Sequence, residues 1–389
     1  MEEFRSIRRI FLRELGIMRQ HPIYGFCTVV FPIVVIVFFT SLMGGGQPVE
    51  MPVGVVDQDG TPTSRAIARQ LDAFQTSHVA GRYANVNAAR EAMQRNEIYA
   101  FLLIPKGTTS GAMTQGQPRI SFYYSNVTLV AGSLLYRDLK TVGALGSAAV
   151  AAARLAAAGK TDRETRTFLQ PIVLDMHATN NPWIDYNVYL STSMVPGVIM
   201  VFIFLLTPYS IGTELKFHRS RQWVGMADGN MYAALVGKLL PQTLLFLAMM
   251  VAFSVYAFDV LEFPHPGGWT PILLLDALGV LACQGFGVLA FGLMPSLRMS
   301  MSVCSLWAVL SLSLCGATYP LFAMDGALQA VAQLFPLHHF YMLYQTSVLN
   351  GFPLADSWLP ALALFLFAAL PLAVVPNIRK AMLVYAYIP

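Results

Sequence analysis

Charge is what this sequence has least of. Charged residues make up 12% of its 389 residues, and hydrophobic residues make up 56%. Soluble domains carry about 25% charged residues, so this balance excludes a soluble protein of this size. The net charge of +4 is small and forms no clustered basic face, which excludes nucleic acid as a partner. Cysteine is scarce. Cys27, Cys283, Cys304 and Cys315 all lie in apolar segments, and none forms a CxxC pair. They read as small packing residues. Catalytic signatures are missing as well. There is no HExxH and no GxSxG. Gly237-Lys238 ends like a phosphate loop, but Tyr232 stands where glycine is required and Leu239 where serine or threonine is. The chain is therefore expected to be no enzyme, with no catalytic residue, no metal site and no cofactor of its own.

What is present is a set of long apolar runs interrupted by one polar insert. Residues 1–22 read as a basic amphipathic connecting helix. Phe4, Ile7, Phe11, Leu15 and Met18 recur on one side, and Arg5, Arg8, Arg9, Arg13 and Arg19 occupy others. Such a helix lies in the membrane interface. No cleavable signal peptide is expected, because the polar stretch is long and the apolar run after it is long enough to span. That run, residues 23–43, is the first span, with Pro32 as a site for a kink. Further spans are expected at residues 188–211, 232–258, 270–294, 300–322 and 357–375. Residues 324–351 are only moderately apolar and read as an outer re-entrant hairpin. Residues 381–389 form a tail.

The insert, residues 44–187, alternates strand and helix patterns. Strands are expected at 51–57, 78–83, 98–105 and 119–124, with helices at 62–74 and 86–96. An alanine-rich helix at 127–158 and a second helix from Asp162 suggest a helical hairpin. This is the pattern of a small α/β domain with a central sheet. Lys and Arg set the orientation. They sit before the first span, at Lys216, Arg219, Arg221 and Lys238, at Arg298, and at Arg379 and Lys380. In a six-span chain these positions share one side, the cytoplasm. Both termini are then inside, and the insert is extracytoplasmic.

Several segments point to one family. VGVVDQDG at 53–60 is followed by IYAFLLIPKG at 98–107. Met194-Val195-Pro196-Gly197 comes next, then Glu214, then Val236-Gly237-Lys238-Leu239-Leu240-Pro241. In this order and spacing they resemble the ABC-2-type exporter permeases that carry a large extracytoplasmic domain between spans one and two. The resemblance covers nearly the whole chain. It departs at Ala227-Asp228, where the family usually has Thr-Pro. The implied fold is an α-helical integral membrane protein with six transmembrane helices, the ABC-2-type exporter fold, and an inserted α/β extracytoplasmic domain.

The resemblance also implies a function. The chain would be the permease subunit of an ATP-binding-cassette exporter in a bacterial inner membrane. It would move a small hydrophobic or amphipathic, drug-like or lipid-like molecule outward. ATP and Mg would sit on a separate ATPase subunit. Other partners would be a second copy or a paralogous permease, a periplasmic adaptor, and membrane lipids. A non-transporting subunit that transmits motion to a periplasmic enzyme is the alternative. ATPase coupling is expected from the loop at 212–231 and the start of span three, through Glu214, Phe217, Arg219, Arg221, Trp223, Val224, Gly237 and Lys238. Phe217, Trp223, Val224 and Met226 have the make-up to fill a groove on the ATPase, with Arg219 and Arg221 at its rim. A solvated loop anchored by Trp223 is the other reading. Spans two and five would line the substrate path, which places Pro196, Phe202, Phe204, Ser305 and Leu312 beside it. Asp276, a carboxylate well inside a span, joins them. His338 and His339 lie in the outer hairpin with no carboxylate or cysteine cluster nearby, so they read as interfacial residues rather than metal ligands.

Overall fold

The computed structural model describes residues 2–114, 116–172, 177, 179–385 and 387. It divides into two compact units, Met1–Gly44 with Ala178–Pro389, and Gly45–His177.

The chain begins with α1 (Glu2–Gln20), whose buried residues are Ser6, Ile10, Glu14 and Met18. These recur every four residues, so they form one stripe. The stripe is not the expected apolar set, because Phe4 and Leu15 are exposed. Two polar residues take their place on the buried side. The first span follows as α2 (Pro22–Gly25), a wide turn at Phe26–Val30, and α3 (Phe31–Leu42). Proline has no N–H and crowds the carbonyl four residues back. The helix answers Pro32 with the wide turn just before it, where the Phe31 amide reaches Phe26 O.

The Gly45–His177 unit contains β1 (Met51–Asp57), α4 (Pro62–Asp72), β2 (Ser77–Arg82), α5 (Val86–Gln94), β3 (Ala100–Ile104), α6 (Thr108–Met113), β4 (Ser121–Tyr124), α7 (Leu129–Ala157) and α8 (Asp162–Leu169). The sheet order is β2-β1-β3-β4. β1 runs parallel to β2 and β3, and β4 closes the edge antiparallel to β3. All four expected strands are present, shifted by at most two residues, whereas α6 is an addition. Val53, Val55 and Leu102 pack under α4 and α7, and Val56 and Phe101 pack under α5. Thr61 and Asn85 cap α4 and α5. α7 and α8 pack together.

The chain then returns as α9 (Tyr186–Lys216), α10 (Ser220–Gly225), α11 (Met231–Val255), extended by a wide turn to Val260, and α12 (Trp269–Leu293). After these come α13 (Leu297–Ser313), α14 (Gly326–Ala332), α15 (Pro336–Leu343), α16 (Trp358–Ala369) and α17 (Pro371–Val384). α14 and α15 occupy the region expected to form a hairpin. α9 and α12 lie at the centre, with α3, α13, α15, α16 and α17 packed around them.

Six helices among the described residues are long and apolar enough to cross a membrane: Pro22–Leu42, Leu129–Ala157, Tyr186–Lys216, Met231–Val260, Trp269–Leu293 and Leu354–Val384. This set differs from the six expected spans in two places. It includes α7, whose Leu135, Leu139 and Val142 complete the sheet core and whose buried Asp138 receives the Thr76 hydroxyl. It omits α13, which stops at Ser313 instead of running to 322. Gly316, at φ 98, turns the chain there. At its other end the last helix continues to Val384, into what was expected to be tail.

Close helix approach depends on glycine. A Cβ on Gly285 would lie 2.1 Å from the Phe367 carbonyl oxygen, and one on Gly292 would lie 2.4 Å from Val374 Cβ. Exposed helical Gly→Ala changes usually stabilise. Gly285→Ala should do the reverse, prying α12 from α16 and lowering the melting temperature and yield of the solubilised chain. A variant as stable as the parent would disprove that approach.

Candidate functional site

Three helices bring ionisable side chains to one buried point. α9 carries Ser210 and Glu214 near its end, α11 closes its second turn with Lys238, and α1 supplies Arg13 and Glu14. Lys238 Nζ donates to Glu14 Oε2 at 2.7 Å and to Glu214 Oε1 at 2.8 Å. The Arg13 guanidinium grips Glu214 with both arms, at 2.9 and 2.7 Å. Ser210 donates to the remaining oxygen of Glu14 at 3.0 Å. Glu14, Glu214 and Lys238 are buried. The Lys238 ammonium also lies 5.3 Å from the centre of the Trp223 ring, within the range of a cation–π contact.

Two cations face two carboxylates, and each carboxylate oxygen is hydrogen-bonded. That balance matters, because burying an uncompensated ion costs several kcal/mol even after relaxation. Bidentate arginine pairing is also geometrically rigid. Gly237 has a separate task. A Cβ there would lie 2.9 Å from both Ile10 Cβ and the Ile7 carbonyl oxygen. Its absence lets α11 come down on α1, which places Lys238 within reach of Glu14.

Beneath this network lies a small apolar core of Ile10, Leu215, Trp223, Val224, Phe291 and Ile378, among others. Trp223 is fully buried, and its Nε1 donates to the Ala234 carbonyl at 3.2 Å. Val224 is buried too. This corrects the expectation that both fill a groove on another protein. They hold α10 to its own chain. The turn from α9 into α10 is different. Phe217 is 48% exposed, its ring is flanked by Lys216 and Arg219, and it stacks with His21. Arg221 is exposed and Arg219 is half-buried. His218 and Asp228 take positive φ on either side of α10, so each end is a tight, specified turn. A second set of ties lies at the surface. Asn230 donates to Glu3, and Ser6 and Arg9 meet Asp228.

The expected path residues have different surroundings. Pro196 is buried inside α9, and Phe204 meets the Phe286 ring edge-on at 5.7 Å. Phe202 packs on Phe31 at 4.7 Å. Leu312 fills the space left by Gly197, coming within 2.8 Å of where its Cβ would be. Ser305 lies instead on the exposed face of α13, with Leu306 and Val309. Asp276 is buried and accepts from Ser254 at 3.0 Å. His338 and His339 meet the backbone carbonyls of Cys315 and Gln333.

Arg13, Glu14 and Ser210 escaped the sequence reading as network members. Glu14 carried a signal: it falls four residues after Ile10 and four before Met18, a carboxylate in line with apolar positions.

No curated protein matches the chain. A family model described as ABC-2 family transporter protein matches residues 23–375, which leaves α1 outside the matched region. The match takes in most of the sequence and overlaps every helix able to cross a membrane, and the chain is a membrane protein belonging to the ABC-2 transporter family.

Proposed function

We propose that the chain is the permease subunit of an ATP-binding-cassette exporter, driven by a separate ATPase that carries ATP and Mg. The cargo is a small hydrophobic or amphipathic molecule, drawn from the cytoplasm or inner leaflet. The six crossings are Pro22–Leu42, Tyr186–Lys216, Met231–Val260, Trp269–Leu293, the short Leu297–Ser313 and Leu354–Val384. Both termini face the cytoplasm of a bacterial cell, and the Gly45–His177 unit faces the periplasm, where an adaptor protein would meet it. The run of Lys and Arg at α1, Lys216–Arg221, Arg298 and Arg379–Lys380 supports this orientation. A second copy, or a paralogue, packs on the apolar outer face of α13.

The observation that carries this reading is the buried network of Arg13, Glu14, Glu214 and Lys238. An ATPase that closes on ATP needs a rigid lever. The turn from α9 into α10 offers Phe217, Arg219 and Arg221 as the handle. Trp223 and Val224 fix that handle to the body, and the network joins α1, α9 and α11 so that they move together. The apolar surfaces of α9 and α13 suit a lipid-like cargo better than a sugar or an ion.

The test is transport. Inverted membrane vesicles containing the chain and its ATPase should accumulate a lipophilic fluorescent dye with ATP and not with a non-hydrolysable analogue. ATP hydrolysis with no accumulation of any amphipathic probe would overturn the exporter reading and favour a transmitter.

A further inference from the structure

The Gly45–His177 unit contains a cavity of about 380 Å³ between α4, α6, the sheet and α7, within the size range of ligand sites. It is separate from the charge network, and its chemistry is the same whether or not the chain is an exporter. One wall is Ile67, Leu102, Ile104 and Phe122. The other is a single stripe of α7, running through Leu139, Gly143, Gly146, Val150 and Arg154. Fifteen residues separate the ends of that stripe, which makes the cavity about 22 Å long at the helical rise. It is open along one side, where Gly143 and Ser147 are exposed.

Two features give the cavity a chemistry. The charges on its lining are both positive, Arg154 and Lys140, and no Asp or Glu is among the lining residues. The Arg154 Nε is also buried, with no hydrogen-bond partner among the described residues. Arginine stays ionised at any ordinary pH. A guanidinium donor left without an acceptor is costly and rare, and an anion at that end would give the half-buried Arg154 side chain, which lines the cavity, an acceptor. The glycines explain the empty middle. A Cβ on Gly146 would touch only Ile67, at 3.9 Å, so the slot stays open there for want of a side chain.

We propose that this cavity binds the alkyl chain of an anionic single-chain amphiphile, with its carboxylate or phosphate head group held by Arg154. The apolar walls take the chain, whose extended length in a long-chain fatty acid matches the slot. The guanidinium pairs with the head group in a charge-assisted hydrogen bond.

Photo-crosslinking of the full chain in detergent tests this. The probes are a diazirine long-chain fatty acid, the matching lysophosphatidate and the matching neutral alcohol. At least one anionic probe should label peptides from 62–72 or 129–157, and the alcohol should label them about tenfold less. The stronger of the two anionic probes identifies the head group. Gly146→Leu should abolish labelling by filling the slot, and it should not unfold the helix, since leucine is the better helix former. Arg154→Gln should reduce labelling about tenfold, and Arg154→Lys should restore much of it. The assignment fails if the alcohol labels as well as the acids, if Gly146→Leu or Arg154→Gln labels like the parent, or if label appears only outside this unit.

Discussion

Replacing Lys238 with methionine should destabilise the membrane body more than any other single charge removal. The side chain is buried, and its ammonium is shared between Glu14 and Glu214. Without it, two buried carboxylates face one cation. Breaking one partner out of a buried ion pair costs about 3–5 kcal/mol, because the remaining charge has no water to solvate it. Glu14 suffers most. Among the described residues it keeps only the Ser210 hydroxyl, whereas Glu214 retains both arms of Arg13. Charge balance predicts the rescue. Combining Lys238→Met with Glu14→Gln leaves the Arg13–Glu214 pair neutral and should recover much of the lost stability. Thermal melts of the solubilised chain, read by size-exclusion chromatography, decide the matter. A Lys238→Met variant that melts with the parent, or a double variant no better than the single, would show that charge balance is not what holds the joint.

The second large effect separates two residues that sit six positions apart. Trp223→Asp should unfold the α10 region, since it removes an aromatic ring worth about 3–5 kcal/mol in a core and puts a carboxylate there instead. Loss of ATPase binding in that variant would carry no information. Phe217→Asp is the informative change. Phe217 is half-exposed and stacks with His21 and neighbouring cations. The variant should melt like the parent, yet co-purify with the ATPase about thirtyfold less well, as expected when an aromatic anchor worth about 2 kcal/mol is lost from an interface. Arg221→Glu should show a weaker version of the same split. If both variants retain normal association, the turn from α9 into α10 is not the docking edge.

How far the sequence reveals this protein depends on the range of each interaction. The strands of the Gly45–His177 unit were legible because a run such as MPVGVVD is self-sufficient: short, apolar and closed by a turn. The long apolar helices were legible for the same reason. The end of α13 was harder. Leu314 to Ala317 are no less apolar than the helix before them, so hydropathy runs on, and only the conformation of Gly316 marks the break. α7 is the opposite case: its alanine-rich composition suits a membrane, yet its place among strand patterns assigns it to the insert, and its packing belongs to the sheet.

The charge network was half legible. Glu214, Gly237 and Lys238 stood out through the family pattern, but their partners lie some 200 residues away on α1. Arg13 looked like one more basic residue on an interfacial helix, and nothing local pairs it with Glu214. Trp223 misled because it sits in a polar stretch, where an aromatic residue suggests a surface anchor. Its burial follows from the return of α17 against α10, a contact that no local pattern announces.

The wide gap between the buried and surface ties on α1 has a consequence for how this helix responds to ionic strength. The Arg9–Asp228 contact is exposed, and electrolyte screens such pairs within about 3 Å at 1 M. The Lys238 cluster is closed to counterions. A concentrated salt wash that strips loosely held proteins from a membrane should therefore loosen the outer fringe of the helix and leave its root seated. The N-terminal segment behaves as a fixed part of the lipid-embedded body, and not as a peripheral arm held by electrostatic attraction.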